Sequence, residues 1–149
     1  YLSDGLRQVN EKVENVVIAG MGFDTIKSII LESINKFRDC DQIILQSNSK
    51  IQELRTFMNQ LKFECLDEVY IEDNHKCYII LKYHYNIKMI SLNEFECLCG
   101  PHLLKQKNLE YEQYLLKMYH RYLGYIKANP NYQTMLDHLK LYLDSKGIL

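Results

Sequence analysis

Long hydrophobic runs are missing from this 149-residue chain. No stretch approaches the roughly 18–20 apolar residues that a bilayer-spanning helix needs. The longest, such as Val16-Val17-Ile18-Ala19-Gly20-Met21-Gly22-Phe23, suit buried strands instead. No signal peptide is visible at the start, which reads Tyr-Leu-Ser-Asp-Gly. The first residue is not Met, so the N-terminal part of a longer protein is expected to precede it. Neither sign of charge dominates: the net charge of −1 excludes a polycation. With 47% hydrophobic and 25% charged residues, a disordered or collagen-like chain is also excluded. The length is that of one ordinary domain.

Paired cysteines are lacking as well. Cys40, Cys65, Cys77, Cys97 and Cys99 are odd in number and form no C-x-x-C motif. The side chains of Cys97 and Cys99 would diverge on a strand or a helix. These residues read as reduced core thiols of a cytoplasmic protein. Neither a zinc ligand set nor any other metal site is evident. No Gly-x-Ser-x-Gly, no P-loop and no third glycine of a dinucleotide fingerprint occurs, so nothing points to nucleophilic catalysis. His75 reads as a solvated turn residue.

What is present has a clear order. Residues 5–13 suggest a short polar helix. Val16 to Ala19 is a β-branched run that predicts a strand buried on both faces. Gly20-Met21-Gly22 ends it, and Asp24 is a candidate cap for a helix whose apolar face is Ile26, Ile29, Ile30, Ile34 and Phe37. Ile43-Ile44-Leu45 predicts a second buried strand, and Ile51 to Leu61 a second helix. Strand, helix, strand, helix is the pattern of a parallel α/β sheet. Phe63 to Glu72 and Lys76 to Tyr85 then predict two strands joined by Asp73-Asn74-His75. That turn is too short for a helical crossover, so the last strand is antiparallel.

From residue 91 onward the periodicity is helical. Ser91 and Glu94 form a candidate capping box. Tyr111, Leu115, Met118, Tyr122 and Tyr125 share one helix face, and Tyr132, Leu136, Leu139 and Leu143 another. Asn129-Pro130 restarts the helix and Gly147 ends it. Two amphipathic helices joined this tightly predict an antiparallel hairpin. The expected organisation is an α/β body over residues 1–90 and a helical hairpin domain over 91–149. Charge follows the same division. Residues 1–100 hold 11 basic and 15 acidic side chains, and residues 101–149 hold 7 and 4, with seven of the twelve Tyr.

In open α/β sheets ligands bind beyond the carboxyl ends of the strands. Three segments fall there: Ser3-Asp4-Gly5, Gly20-Met21-Gly22 and Gln46-Ser47-Asn48. Asp4 can accept from a ligand amino or hydroxyl group, or from its own turn backbone. Gly20 and Gly22 can admit a ligand against the backbone, or simply make a tight turn. Gln46 and Asn48 carry donors and acceptors suited to a base edge. Alternatively, Asn48 or Ser49 caps the next helix. The Tyr stripe reads first as hairpin packing.

At these segments the chain resembles the bacterial tRNA adenine-22 N1-methyltransferase family. The resemblance rests on Tyr1-Leu2-Ser3-Asp4-Gly5-Leu6, on Val16 to Gly22 and on Ile43 to Asn48. Leu54-Arg55, Glu72, Gly100-Pro101-His102-Leu103 and Asn108 support it. It implies the C-terminal part of a Rossmann-like class I methyltransferase sheet, followed by a helical hairpin. It also implies S-adenosylmethionine as cofactor, tRNA as partner, and methyl transfer to adenine N1. The chain would then begin after the third strand, without the glycine-rich loop that holds the methionyl part of the cofactor. This piece alone is accordingly expected to bind cofactor poorly and to be inactive.

On this resemblance Ser3, Asp4, Gly5 and Ala19 would contact the cofactor, and Gly20, Met21 and Gly22 would line the reacting centre. Gln46 and Asn48 would hold the target base. Lys105, Lys107, Lys117, Arg121 and Lys127 would grip RNA phosphates. Three residues depart from the family pattern: Ser3 and Phe23 where glycine is usual, and Ser47 where proline is. Two other readings stay open. One is a non-catalytic α/β interaction module whose hairpin binds a partner. The other is a different nucleotide-binding methyltransferase on the same fold.

Overall fold

The computed structural model of the chain describes residue 3 and residues 5–149. Four strands, β1 (Asn15–Met21), β2 (Gln42–Ser47), β3 (Phe63–Asp73) and β4 (Lys76–Tyr85), form one sheet in the order β1-β2-β4-β3. β1 and β2 are parallel, with Val16 opposite Ile43 and Ile18 opposite Leu45. β4 is antiparallel to both β2 and β3. The mixed sheet that the sequence predicts is therefore present, with the last strand inserted between β2 and β3.

The connections are α1 (Phe23–Glu32) and α2 (Ile34–Arg38) between β1 and β2, and α3 (Ile51–Gln60) between β2 and β3. Their apolar faces cover one side of the sheet, where Ile26, Ile30, Phe37, Ile43, Leu45, Leu54, Met58 and Leu81 are wholly buried. The opposite side is open: Val17 is 65% exposed, and Val69 and Ile71 are exposed. This corrects the expectation that β1 is buried on both faces. Among the described residues β1 lies at one end of the sheet with helices against a single face, and its burial alternates.

Other local expectations also change. Residues 5–8 form a turn, not a polar helix, because Lys36 Nζ takes the carbonyls of Leu6 and Val9 at 2.7 Å each. The single helix predicted after Asp24 breaks at buried Ser33 into α1 and α2. Asp24 caps nothing and pairs with Lys50 at 2.9 Å. Neither Asn48 nor Ser49 caps α3, whose N-cap is left-handed Lys50. The β3–β4 turn at Asn74 and His75 takes the two positive φ values of a tight hairpin, as read.

Beyond β4, α4 (Glu94–Cys99) is capped by the reciprocal pair Asn93 and Glu96, not by Ser91 and Glu94. A bulge between Cys65 and Asp67 shifts the alternation of β3 and turns Glu68 inward. There it meets Arg55 of α3: Nε donates to Glu68 Oε1 at 2.7 Å, and the two side chains are 1% and 0% exposed. Arg55 Nη1 also donates to the carbonyls of Cys97 and Leu98, which would otherwise be orphaned at the end of α4. Glu68 Oε2 accepts from the N–H groups of His102 and Leu103. Gly100, at φ +82°, passes so close that a Cβ there would lie 2.5 Å from Glu68 Oε2.

The chain forms two compact units, 1–104 and 105–149. Residues 91–104, placed by the sequence with the hairpin, thus belong to the sheet unit through this buried pair. The second unit is the hairpin of α5 (Leu109–Tyr125) and α6 (Gln133–Ser145), with a 3-10 turn at Pro130–Tyr132 capped by Asn129. Tyr111 and Leu115 on α5 and Leu136, Leu139 and Leu143 on α6 are its buried residues. Gly147 closes α6 at φ +69°.

Candidate functional site: the turn after β1

The carboxyl ends of β1 and β2 lie side by side, and their side chains and backbone form a closed ring of hydrogen bonds. Gly20 N–H donates to Gln46 Oε1 at 2.7 Å. Gln46 Nε2 donates to Asn48 Oδ1 at 3.0 Å, and Asn48 Nδ2 donates to the Gly20 carbonyl at 2.9 Å. Asn48 N–H adds a bond to Met21 O. Both backbone groups of Gly20 are thereby satisfied, and each carboxamide nitrogen keeps a second N–H beyond the ring.

Gly20 needs this support because it sits at φ +76°, where the β1–β2 register shifts. Nothing lies within 4 Å of where its Cβ would be. The backbone here is open to a ligand. Met21 is 40% exposed beside it. Gly22 is the N-cap of α1 and has no side chain to cap with. Ser49 of the neighbouring turn accepts from Phe23 N–H instead, at 3.4 Å.

Phe23 and Ser47, expected from the resemblance to stand where glycine and proline are usual, each make a local contact here. Phe23 is buried edge-on against Phe57 of α3, with ring centroids 6.0 Å apart. The Ser47 hydroxyl donates to Ser49 O at 2.7 Å and ties the second turn.

The structure therefore brings Gly20, Met21, Gly22, Gln46 and Asn48 together, with Ala19 next in the chain. Ser3 and Gly5 belong to another segment: Ser3 Oγ accepts from Gln8 N–H, and Gly5 packs against Ile29 of α1. Asp4 lies outside the described residues. The sequence reading assigns Gln46 and Asn48 to a ligand, with Asn48 or Ser49 as a helix cap in the alternative, and misses that Gln46 and Asn48 clasp Gly20. The only hint was their position opposite the glycine turn.

No titratable side chain takes part in the ring. Perturbed groups lie elsewhere: burial raises the Tyr83 hydroxyl and the Cys65 thiol well above their ordinary values and pushes the Cys99 thiol up to about 12. Among the described residues no group of three or more His, Cys, Asp or Glu could hold a metal. No described helix is long and apolar enough to cross a membrane.

On the second unit, Lys105, Lys107, Lys117, Arg121 and Lys127 are all exposed. They do not form one cluster. Lys105 and Lys107 precede α5 and Lys127 follows it, and 17 helical residues span about 25 Å. Lys117 and Arg121 are four apart and share a row.

Comparison with known proteins gives one consistent result. Residues 1–141 match the model of the family described as tRNA (adenine(22)-N(1))-methyltransferase, TrmK. The Bacillus subtilis (strain 168) protein of that description is 28% identical over 110 residues, covering 70% of this chain and 46% of its own length. The chain thus spans about half the length of the curated relatives it matches. A Streptococcus pneumoniae structure in complex with S-adenosyl-L-methionine superposes with a TM-score of 0.82 at 24% identity, over 95% of this chain and 66% of that one. M. capricolum TrmK in complex with S-adenosyl-homocysteine does so with a TM-score of 0.75 at 22% identity, over 97% and 67%.

Proposed function

The chain belongs to the TrmK family of tRNA (adenine(22)-N(1))-methyltransferases, and from that premise we propose that it is part of an enzyme transferring a methyl group from S-adenosylmethionine to N1 of an adenine in tRNA. The observation that carries this reading is the Gly20 turn, an open backbone held rigid by two carboxamides at adjacent strand ends. Such a site can take a planar, uncharged ligand edge without presenting a charge to it.

S-adenosylmethionine supplies a methyl on a sulfonium sulfur. The N1 lone pair forms the new bond as the carbon–sulfur bond breaks, so sulfur ends neutral and the adenine ring cationic. No proton must leave, so the ring at Gly20 needs no general base. Its residues contribute positioning. Ala19, Gly20, Met21 and Gly22 would line the junction of cofactor and base, and Asp4 would meet the cofactor. Gln46 and Asn48 would fix the turn and offer their second N–H groups to the base. N1 is hidden in a paired or stacked adenine, so the nucleotide must be unpaired or turned out. The exposed cations of the hairpin would hold phosphates. A tRNA substrate supports a cytoplasmic location for the enzyme.

The test is incubation of the full-length protein containing these residues with S-adenosylmethionine and unmodified tRNA, followed by digestion to nucleosides. Formation of 1-methyladenosine is expected. Methylation at another atom, or none, would contradict the reading.

A further inference from the structure

The aromatic face of α5 changes character along its length. At its start Tyr111 and Leu115 are 1% and 0% exposed; at its end Tyr125 is 50% exposed. Tyr132, across the turn, is 36% exposed, although the sequence pattern puts both residues on packing faces. The rings at the hairpin tip still associate. Tyr132 stacks on Tyr122 with centroids 5.2 Å apart and planes 27° from parallel, and lies 6.1 Å from Tyr125. Three tyrosines thus form a layered aromatic surface that solvent reaches.

Charge near this tip is mainly positive. Between Glu112 and Asp137 there is no acidic residue, while Lys117, Arg121 and Lys127 are exposed. Glu110 and Glu112 occupy the first turn of α5 and Asp144 the end of α6, at the opposite end of the hairpin. The nearest acid, Asp137, accepts from Gln133 Nε2 at 2.7 Å. Lys117, Arg121 and Tyr125 follow one another at four-residue spacing, so two cations lead along one row to the exposed ring.

Exposed rings beside an excess of cations are the combination that binds single-stranded nucleic acid: bases stack while the backbone is neutralised. We propose that Tyr122, Tyr125 and Tyr132 form a stacking platform for an unpaired nucleobase of the RNA substrate, with Arg121 and Lys127 on the flanking phosphates. The proposal rests on the RNA-substrate reading above and adds a base-contacting subsite to it.

The test uses the 149-residue chain with three probes: bulk tRNA, a single-stranded RNA dodecamer, and a base-paired RNA of the same length. Tyr125→Ala with Tyr132→Ala should weaken tRNA and single-strand binding roughly 5- to 150-fold, the span of one stacked base. The slope of log affinity against log salt should stay unchanged, and the paired probe should be little affected. Arg121→Gln with Lys127→Gln should instead lower that slope by about 0.7 per contact. Tyr125→Trp with Tyr132 retained introduces the chain's sole tryptophan, and saturating single-stranded RNA should quench its emission. Tyr132→Phe should bind like the unsubstituted chain. Unchanged RNA affinity in the double Ala variant, with its helical circular dichroism intact, would overturn the proposal. So would unquenched Trp emission, or failure of the unsubstituted chain to bind RNA. If the double Ala change abolishes self-association and leaves RNA binding intact, the tip is a protein contact and the proposal fails. Failure to form 1-methyladenosine would count against the methyl-transfer reading alone, since none of these arms measures methylation.

Discussion

The sheet unit and the hairpin unit use polar side chains in opposite ways. In the sheet unit the important ones bond to the protein itself: Arg55 and Glu68 to each other and to the backbone around α4, Gln46 and Asn48 to Gly20. In the hairpin the basic side chains stand in solvent and the seam is apolar or aromatic. A buried polar group fixes the backbone because leaving it unpaired is costly. An exposed cation fixes little and remains available to an anion. Changes in the first unit should therefore cost stability or shape, and changes in the second should cost binding.

The largest effect is expected at the buried pair. Glu68→Ala leaves the Arg55 charge uncompensated and two N–H groups unpaired, at a cost of about 3–5 kcal/mol in urea unfolding. Replacing both partners by apolar residues should not restore stability, because four backbone groups bonded to the pair would remain orphaned. A loss below about 1 kcal/mol in the single variant would show that the pair is not the fastening described.

Alkaline pH should act next. Burial holds the Cys99 proton to about 12, whereas the unfolded thiol loses it near 9.0. Above 9 the unfolded state binds fewer protons than the folded one, so stability falls as pH rises toward 12 and is unaffected below 9. The slope is about 1.4 kcal/mol per pH unit for each such thiol. Cys65, raised by burial as well, acts in the same direction. Cys99→Ala should flatten the slope measured by denaturant unfolding; an unchanged slope would remove Cys99 as its source.

Two of the positive-φ glycines, Gly20 and Gly100, separate shape from fastening. Gly20→Ala meets no neighbour and should cost only the left-handed backbone term of about 1–2 kcal/mol. Gly100→Ala drives a Cβ into Glu68 and Arg55 and should cost clearly more in the same urea titration. Equal losses would contradict the packing around Gly100. The smallest stability change belongs to the hairpin: Lys117→Glu with Arg121→Glu should shift unfolding by no more than about 0.5 kcal/mol. A larger shift would mean that these side chains hold the hairpin together.

How much of this was legible depended on whether periodicity or tertiary contact decided the outcome. The Val16 and Ile43 strands and the hairpin turn at Asn74 follow from local pattern and appear as read, as do Tyr111, Leu115, Leu136, Leu139 and Leu143 of the α5–α6 seam. Burial of a single face of β1 did not, because Val17 is as apolar as Val16 and sequence cannot say which side a helix covers. Arg55 sat inside an apolar helix face with no local partner; its carboxylate comes from 13 residues on, turned inward by a bulge that alternation cannot show. At the candidate site, strand-end position marked Gly20, Gln46 and Asn48. The ring that joins them required the register of β1 on β2. Tyr125 and Tyr132 fit a packing stripe by spacing, yet the structure leaves both exposed at the hairpin tip.

Steady-state methylation by the full-length protein tests this division most directly. Gln46→Leu leaves Gly20 N–H and Asn48 Oδ1 unpaired, and should lower kcat while tRNA affinity holds. Lys117→Glu with Arg121→Glu should weaken tRNA binding and reduce its salt slope by roughly 0.7–0.9 per lost contact, with kcat at saturating tRNA retained. If the Gln46 variant loses tRNA affinity and keeps kcat, or the hairpin variant loses kcat with binding intact, the assignment of chemistry to the Gly20 turn and of RNA grip to the hairpin is contradicted.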